Sequence, residues 1–316
     1  MYLVIDGNNL AHRVFHTSQG TLTKKDGTPS GVVLGVPNSI KGMLEKLPEV
    51  ERVIVTWDAK GGSAWRKAIY PAYKGNRDYG KDDDEKREAY EGLFMQMEYL
   101  HEHLHLLGIN SIKVEGYEAD DLMAVLSKRI PEMTGKHVLI ATSDKDMLQL
   151  VSKNVSVYSP FKEKIYSPAN FFEEIKVTPE AYVGYRALVG DKSDNIQGIE
   201  GIAEGKAGKL MDEYGHIDNI LNAQGPQKAK LMKSKVYSRI FTPEGLQTLA
   251  INNKIMNFKF VPASVTMEDL VEKNITTKPE VDSKAFRALC TEWQFASILC
   301  NYLPFISPFN ALGEDD

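Results

Sequence analysis

Cysteine is nearly missing from this chain: Cys290 and Cys300 are the only two in 316 residues, and they lack a Cys-x-x-Cys spacing. That argues against a secreted, disulfide-stapled protein and for two buried thiols in a reducing compartment. Long apolar runs are missing too. The longest late stretch, Ala296 to Phe309, is broken by Asn301, Pro304 and Pro308 and is too short to span a bilayer. Met1 leads straight into Tyr-Leu-Val-Ile-Asp, without the basic flank or apolar length of a signal peptide. The expected setting is cytoplasmic, with no membrane partner. A positive excess is also lacking, since 38 basic residues face 43 acidic ones for a net charge of −5. This excludes little, because distribution decides nucleic-acid binding more than the total does. Acids gathered to hold divalent cations leave the remaining surface free to be basic.

What is present is an ordinary globular composition, 42% apolar, enough for one large domain or two closely joined ones. Tyr2–Ile5 and Arg52–Trp57 read as short buried strands, and Ser111–Val114 and His137–Thr142 as two more. Asn9–Phe15 and Ala119–Ile130 read as helices between them. Strands alternating with helices predict an α/β fold, a mostly parallel central sheet flanked by helices. Residues 59–92 interleave Arg66, Lys67, Lys74, Arg77, Lys81, Lys86 and Arg87 with Tyr70, Tyr73, Tyr79 and Tyr90. An amphipathic helix over Glu85–Leu107 follows, with Leu93, Met97, Leu100, Leu104 and Leu107 on one stripe. From Thr178 the chain reads as mainly helical, and the acidic end, Gly313–Asp316, is expected to fray.

Nine acids occupy positions from which one metal centre could recruit them. Asp6 and Asp58 close strands. Glu118, Asp120 and Asp121 open a helix. Asp144 and Asp146 are two apart, and Asp191 and Asp194 are three apart, as on one face of a helical turn. Each pair alone suits a helix N-terminus, an N-cap or a turn. As a set, falling directly after apolar strands, they suit Mg²⁺ or Mn²⁺, because crowded carboxylates repel unless cations hold them.

The segments Asp6-Gly-Asn-Asn-Leu-Ala-His-Arg13, Trp57-Asp58, Tyr70-Pro-Ala-Tyr-Lys-Gly-Asn-Arg77, Gly116-Tyr-Glu-Ala-Asp-Asp121, Ser143-Asp-Lys-Asp-Met-Leu-Gln-Leu150 and Gly190-Asp-Lys-Ser-Asp-Asn-Ile-Gln-Gly-Ile-Glu-Gly201 carry a resemblance. In order and spacing they resemble the 5′-nuclease superfamily, in particular standalone phage 5′–3′ exonucleases and the nuclease domain of bacterial DNA polymerase I. The likeness covers about residues 1–215, with a later echo at Leu289–Leu299. It implies a PIN-like nuclease core over 1–178, with a helical arch at about 74–107. It further implies a helix–three-turn–helix DNA-binding region over 179–260, and a C-terminal helical extension over 261–316 is expected to pack on the core.

The same resemblance implies a two-metal phosphodiesterase acting on DNA with a 5′ flap, 5′ overhang or 5′ end, or an RNA primer, in replication or repair. One ion would lie on Asp6, Asp58 and Asp120, the second on Asp144, Asp146 and Asp191 with help from Asp194, while Glu118 and Asp121 order waters. Lys74 and Arg77 would act beside Asp120 at the scissile phosphate. Arg66, Tyr73, Gly198, Gly201, Lys206 and Lys209 would meet DNA, and Gly198–Lys209 would hold a K⁺ ion. Here Ala203 stands where a second hairpin glycine is usual, and Gly205-Lys206 replaces the common Lys-Arg or Lys-Thr. Lys228, Lys230, Lys233, Lys235 and Arg239 form a further basic run, read either as a duplex grip or as a solvated helix face. A monomer in a bacterial or phage-infected cell is expected, with any polymerase acting in trans.

Three other readings compete. His101-Glu102-His103-Leu104-His105 matches the zincin pattern His-Glu-x-x-His, but Ser111 stands where a third histidine would complete it, and the nuclease helix already explains the segment. A junction-binding protein without catalysis would show replaced acids, and all nine are present. A PIN-type ribonuclease would share the acidic sheet but not the glycine-rich segment or the long arch.

Overall fold

The computed structural model describes residues 1–17 and 21–312, so the acidic end at Gly313–Asp316 lies outside the described residues. Its centre is a six-stranded sheet. β1 (Tyr2–Asp6), β2 (Arg52–Trp57), β3 (Asn110–Lys113), β4 (Val138–Ala141), β5 (Val155–Ser159) and β6 (Lys164–Tyr166) stand in the order β3-β2-β1-β4-β5-β6. The first five run parallel, and β6 returns antiparallel along β5. Both faces are covered. Leu3, Ile5, Val53 and Val55 point into one apolar cluster and Val4, Ile54 and Ile140 into the other. Burial on both sides explains why these strands read as continuous apolar runs rather than alternating ones.

On the first face lie α1 (Gly7–Phe15), α2 (Gly31–Lys46) and, beyond the short α3 (Ala64–Ile69), α4 (Asp84–His103). α2 begins at Ser30, whose side chain makes no capping bond. The fully buried Gln96 of α4 takes that role, accepting from Val32 N–H at 2.8 Å and Val33 N–H at 3.3 Å. The expected Glu85–Leu107 helix stops at His103 and tightens into a 3₁₀ turn over Leu104–Leu106. The arch expected at 74–107 is therefore a run of turns over 71–76 and 79–82 followed by one helix, part of which packs on α1 and α2.

The second face carries α5 (Ala119–Thr134), the short α6 (Phe171–Ile175) and α7 (Tyr182–Val189). A small hairpin, β7 (Gly190–Asp191) with β8 (Ile196–Gln197), follows, and then α8 (Glu204–Tyr214), α9 (Ile217–Leu221), α10 (Gly225–Lys233) and α11 (Pro243–Met256). Asp191 and Asp194 thus sit on a hairpin rather than a helical turn. Gly190 takes φ +75°, and a Cβ on Gly198 would come within 2.2 Å of the Val189 carbonyl, so the chain doubles back too tightly for a helix.

The C-terminal helices divide between the faces. α12 (Val265–Thr276) buries Met267, Val271 and Ile275 on the α5 side. α13 (Ser283–Glu292), α14 (Ala296–Cys300) and α15 (Tyr302–Asn310) bury Phe286, Leu289, Phe305 and Phe309 against the α2 side. Cys290 is buried as expected, but Cys300 is exposed, because the short α14 turns only Ile298 fully inward. Among the described residues no helix is long and apolar enough to cross a membrane.

Candidate active site

The strand order reverses between β1 and β4, and in open α/β sheets the crevice beyond the carboxyl ends at that switch point is where ligands bind. Asp6 is both the last residue of β1 and the N-cap of α1. Its carboxylate accepts from Asn9 N–H at 2.9 Å and from the Thr142 hydroxyl at 3.0 Å. Gly7 lets α1 start this close to β2, since a Cβ there would stand 2.8 Å from the Thr56 carbonyl and from the Trp57 ring. Asp58 follows β2 and accepts from Ala119 N–H at the start of α5, at 2.8 Å. Asp144 follows β4 and accepts from Asp146 N–H at 2.7 Å. Asn8 and Asn9 tie these ends together: Asn8 accepts from Asp58 N–H at 2.8 Å, and Asn9 accepts from Ser143 N–H at 3.2 Å. In the sequence both stood within the Asp6–Arg13 segment that carries the resemblance, with no role assigned to either.

Asp6, Asp58, Asp120 and Asp144 line one cleft of about 600 Å³, together with Lys74 and Arg77. A smaller neighbouring cavity is lined by Asp120, Asp146 and Asp194, so Asp120 faces both. Burial, reinforced by Asp58 and Asp144, pushes Asp6 up to about 7 despite its two hydrogen bonds. Burial, Asp144 and Asp6 raise Asp120 well above the usual carboxylate range. Asp58 and Asp144 are raised for the same first reason, burial. Acids in this condition are a site short of positive charge. Among the described residues no three acid, histidine or cysteine side chains close into a compact cage by themselves. Splayed carboxylates are what mutual repulsion produces, and hard divalent cations that keep part of their water shell suit such an open set. The donor set therefore fits divalent ions.

The remaining acids are already paired. Arg66 is only 3% exposed and binds Glu118 at 2.7 Å and Asp121 at 2.6 Å, while its Nε donates to the Ile255 carbonyl at 2.9 Å. Lys74 reaches Glu118 at 2.5 Å, and Tyr73 donates to the same carboxylate at 3.1 Å. Burial would raise Glu118, but Lys74 and Arg66 outweigh it and hold it below the usual range. This corrects three expectations. Arg66 and Tyr73, both expected to meet DNA, are buried, and Glu118 and Asp121, expected to order waters, are salt-bridged inside the protein. The expected second-ion set also contains a cation the sequence reading missed: Arg186 of α7 bridges Asp146 at 2.9 Å and Asp191 at 2.5 Å. Burial pushes Asp146 up to about 7 all the same. Asp194 pairs with Arg77 at 2.9 Å.

Removing the guanidinium should expose how much it supports. Arg66→Ala leaves two buried carboxylates without that partner, and the expected loss is about 3 kcal/mol or more of stability, read by thermal or urea unfolding. A loss under about 1 kcal/mol, the size of a surface pair, would show that the network is not structural.

Gly198 and Gly201 lie between the hairpin and α8. Gly201 takes φ +82°, and its carbonyl accepts from the Lys206 ammonium at 2.8 Å. Lys206 and Lys209 are exposed on α8, which starts at Ala203 without a side-chain cap. In the basic run, Lys230 pairs with Glu213 at 2.7 Å and Arg239 with Glu200 at 3.1 Å. The zincin-like pattern has no shared face. α4 ends at His103, so His105 lies on the 3₁₀ turn, while His101 bonds Ser111 at 2.8 Å and His103 stacks on Tyr99.

Sheet order and cleft together define an open α/β sheet with an acidic cleft at its switch point. The chain belongs to the 5′–3′ exonuclease family: residues 1–176 match its N-terminal resolvase-like domain and residues 177–275 its C-terminal SAM fold. It is 32% identical over 297 residues to the thermostable DNA polymerase I of Thermus thermophilus, covering 94% of this chain and 32% of that protein. The chain thus spans about a third of the length of such polymerases. It is 27% identical over 277 residues to a 5′–3′ exonuclease of Buchnera aphidicola, covering 87% of this chain and 92% of that one. A bacteriophage T5 flap endonuclease, solved as a pseudo-enzyme–product complex with DNA and metal ions, shares the fold. It has a TM-score of 0.69 and 24% identity, covering 87% of this chain and 96% of that one.

Proposed function

We propose that the protein is a structure-specific 5′-nuclease that hydrolyses DNA phosphodiester bonds at 5′ flaps and 5′ ends with Mg²⁺, Mn²⁺ substituting. The observation that carries this reading is the convergence of Asp6, Asp58, Asp120 and Asp144 in one cleft with Lys74 and Arg77. The T5 protein's complex with DNA and metal ions supports it. Divalent ions bound to these carboxylates would lower the pKa of an attacking water and offset charge on the scissile phosphate. Asp6, Asp58 and Asp120 would hold one, and Asp144 and Asp146 would hold the other, with Asp191 and Asp194 beside them. Lys74 stays protonated: burial opposes its charge, but Glu118, Asp194 and Asp120 outweigh that. With Arg77 it places positive charge where negative charge develops on the phosphate. On the α4 side, Tyr79 and Phe94 are exposed and stand edge to face at 5.5 Å, next to Tyr90 and His12. Such rings suit the bases of a single strand. Gly198, Gly201, Lys206 and Lys209 would meet duplex phosphates, in cytoplasm and as a monomer. The Lys206 ammonium supplies a positive charge at the Gly201 carbonyl, where the family likeness led us to expect K⁺.

The test is an end-labelled 5′-flap duplex incubated with Mg²⁺ and, separately, with EDTA. Metal-dependent release of the flap is expected, and intact substrate in both arms rejects the reading.

A further inference from the structure

The turn that carries Lys74 and Arg77 is held from outside its own segment. Its backbone passes through φ +53° at Lys74, a left-handed conformation that costs a non-glycine residue about 1–2 kcal/mol. Across from it stands the Gly190–Gln197 hairpin, whose Asn195 is itself left-handed at φ +58°. Five links join the two, one of them the Lys74 ammonium 3.9 Å from the Asp194 carboxylate. Lys74 N–H donates to the Asp194 carbonyl at 2.9 Å, and the Asn76 carboxamide donates to the Lys192 carbonyl at 3.0 Å. The Asn195 carboxamide donates to the Ala72 carbonyl at 2.8 Å, and the Arg77 guanidinium meets the Asp194 carboxylate at 2.9 Å. Gly75 leaves room for this contact, because a Cβ there would stand 3.0 Å from the Ala72 oxygen and 3.8 Å from Asn195 Nδ2.

Asn195 differs from Asn76 and Arg77. Asn76 and Arg77 are exposed, whereas Asn195 is partly buried between the two segments. The position asks for two properties at once, tolerance of the left-handed region and a side-chain N–H donor. Glycine has only the first, aspartate has the first without the donor, and asparagine has both.

We propose that Asn195 is a positioning residue for cleavage, holding the Tyr70–Arg77 turn on the hairpin so that Lys74 and Arg77 face the carboxylates. The role given to Lys74 rests on the nuclease reading above. Because the same hairpin leads directly into Gly198–Lys209, the clamp also fixes the spacing between the duplex-binding segment and the basic pair. It thereby selects which phosphodiester is cut.

The experiment uses the full chain as wild type, Asn195→Gly, Asn195→Ala, Lys74→Ala and the Asn195→Gly/Lys74→Ala double variant. Asn195→Gly removes the donor while keeping the backbone conformation free, so folding is spared; Asn195→Ala adds strain to the same loss. The first readout needs no DNA: amide exchange at Lys74, whose N–H donates to Asp194, is expected to quicken about tenfold or more in Asn195→Gly. Unchanged exchange overturns the proposal.

The second readout is cleavage of a 5′-flap duplex. Asn195→Gly is expected to lower kcat about 30-fold with KM within about threefold, and to spread the cut over adjacent phosphodiesters. In the Lys74→Ala background the same change should cost under about threefold, because a residue acting through Lys74 has little left to lose. An equal loss in both backgrounds, or KM rising in step with the fall in kcat, overturns the proposal. If wild type fails to cut with Mg²⁺, the nuclease reading falls, and the exchange measurement still decides the clamp.

Discussion

Asp120→Asn is expected to lower Mg²⁺-dependent flap cleavage about 10³-fold or more, and at the same time to raise the melting temperature of the metal-free protein. Asp120 faces both the main cleft and the smaller cavity, and under the proposed function it would serve as a metal ligand. Burial opposes its charge, and Asp144, Asp6 and Asp58 all repel it. Without a cation, removing that charge relieves the crowding; with one, it removes a ligand. Sites kept for function in this way cost stability, so the two effects should have opposite signs. The check pairs first-turnover cleavage with thermal melting in EDTA and in Mg²⁺. Cleavage at the wild-type rate contradicts the ligand role. A lower melting temperature in EDTA contradicts the repulsion argument, since asparagine keeps the size of the side chain and changes only its charge.

The second large effect is expected at Lys74. Lys74→Ala should reduce kcat about 10²–10³-fold while changing substrate affinity only slightly, the pattern of a charge that acts on the phosphate as negative charge develops. Two geometric facts support this. The ammonium is held at 2.5 Å by Glu118, which Arg66 holds in turn, so it is aimed rather than free. It also lines the cleft with the four unpaired carboxylates. Arg77, more exposed and paired with Asp194, should contribute more to binding. Lys74→Ala with kcat and affinity falling equally would assign Lys74 to substrate binding instead. Lys74→Arg separates charge from shape: it keeps the cation but cannot sit on Glu118 in the same way, so only partial activity is expected.

Much of this site was legible from residue order. The apolar strands ending in Asp6 and Asp58 announced themselves by composition, since a strand buried on both faces must be apolar along its length. The parallel sheet followed from alternation with helices, and the nuclease family from six segments in register. Less legible were the partners. Asn8, Asn9, Arg186 and Asn195 act through contacts with residues far along the chain, and polar residues at helix starts and turns look alike in sequence. The arch was read as a longer helical unit because its leucine stripe continues past His103, although the chain there tightens into a 3₁₀ turn.

The sequence by itself determined the fold class and the family, because strand burial and chain order are local and topological properties. Tertiary structure alone decided which charges are spent on one another. Arg66 and Tyr73 turned inward to Glu118 and Asp121, and Arg186 took Asp146 and Asp191, leaving Asp6, Asp58, Asp120 and Asp144 without an ion pair among the described residues. An ion pair depends on a separation of a few ångströms between segments that stand far apart along the chain, and no spacing rule contains that distance.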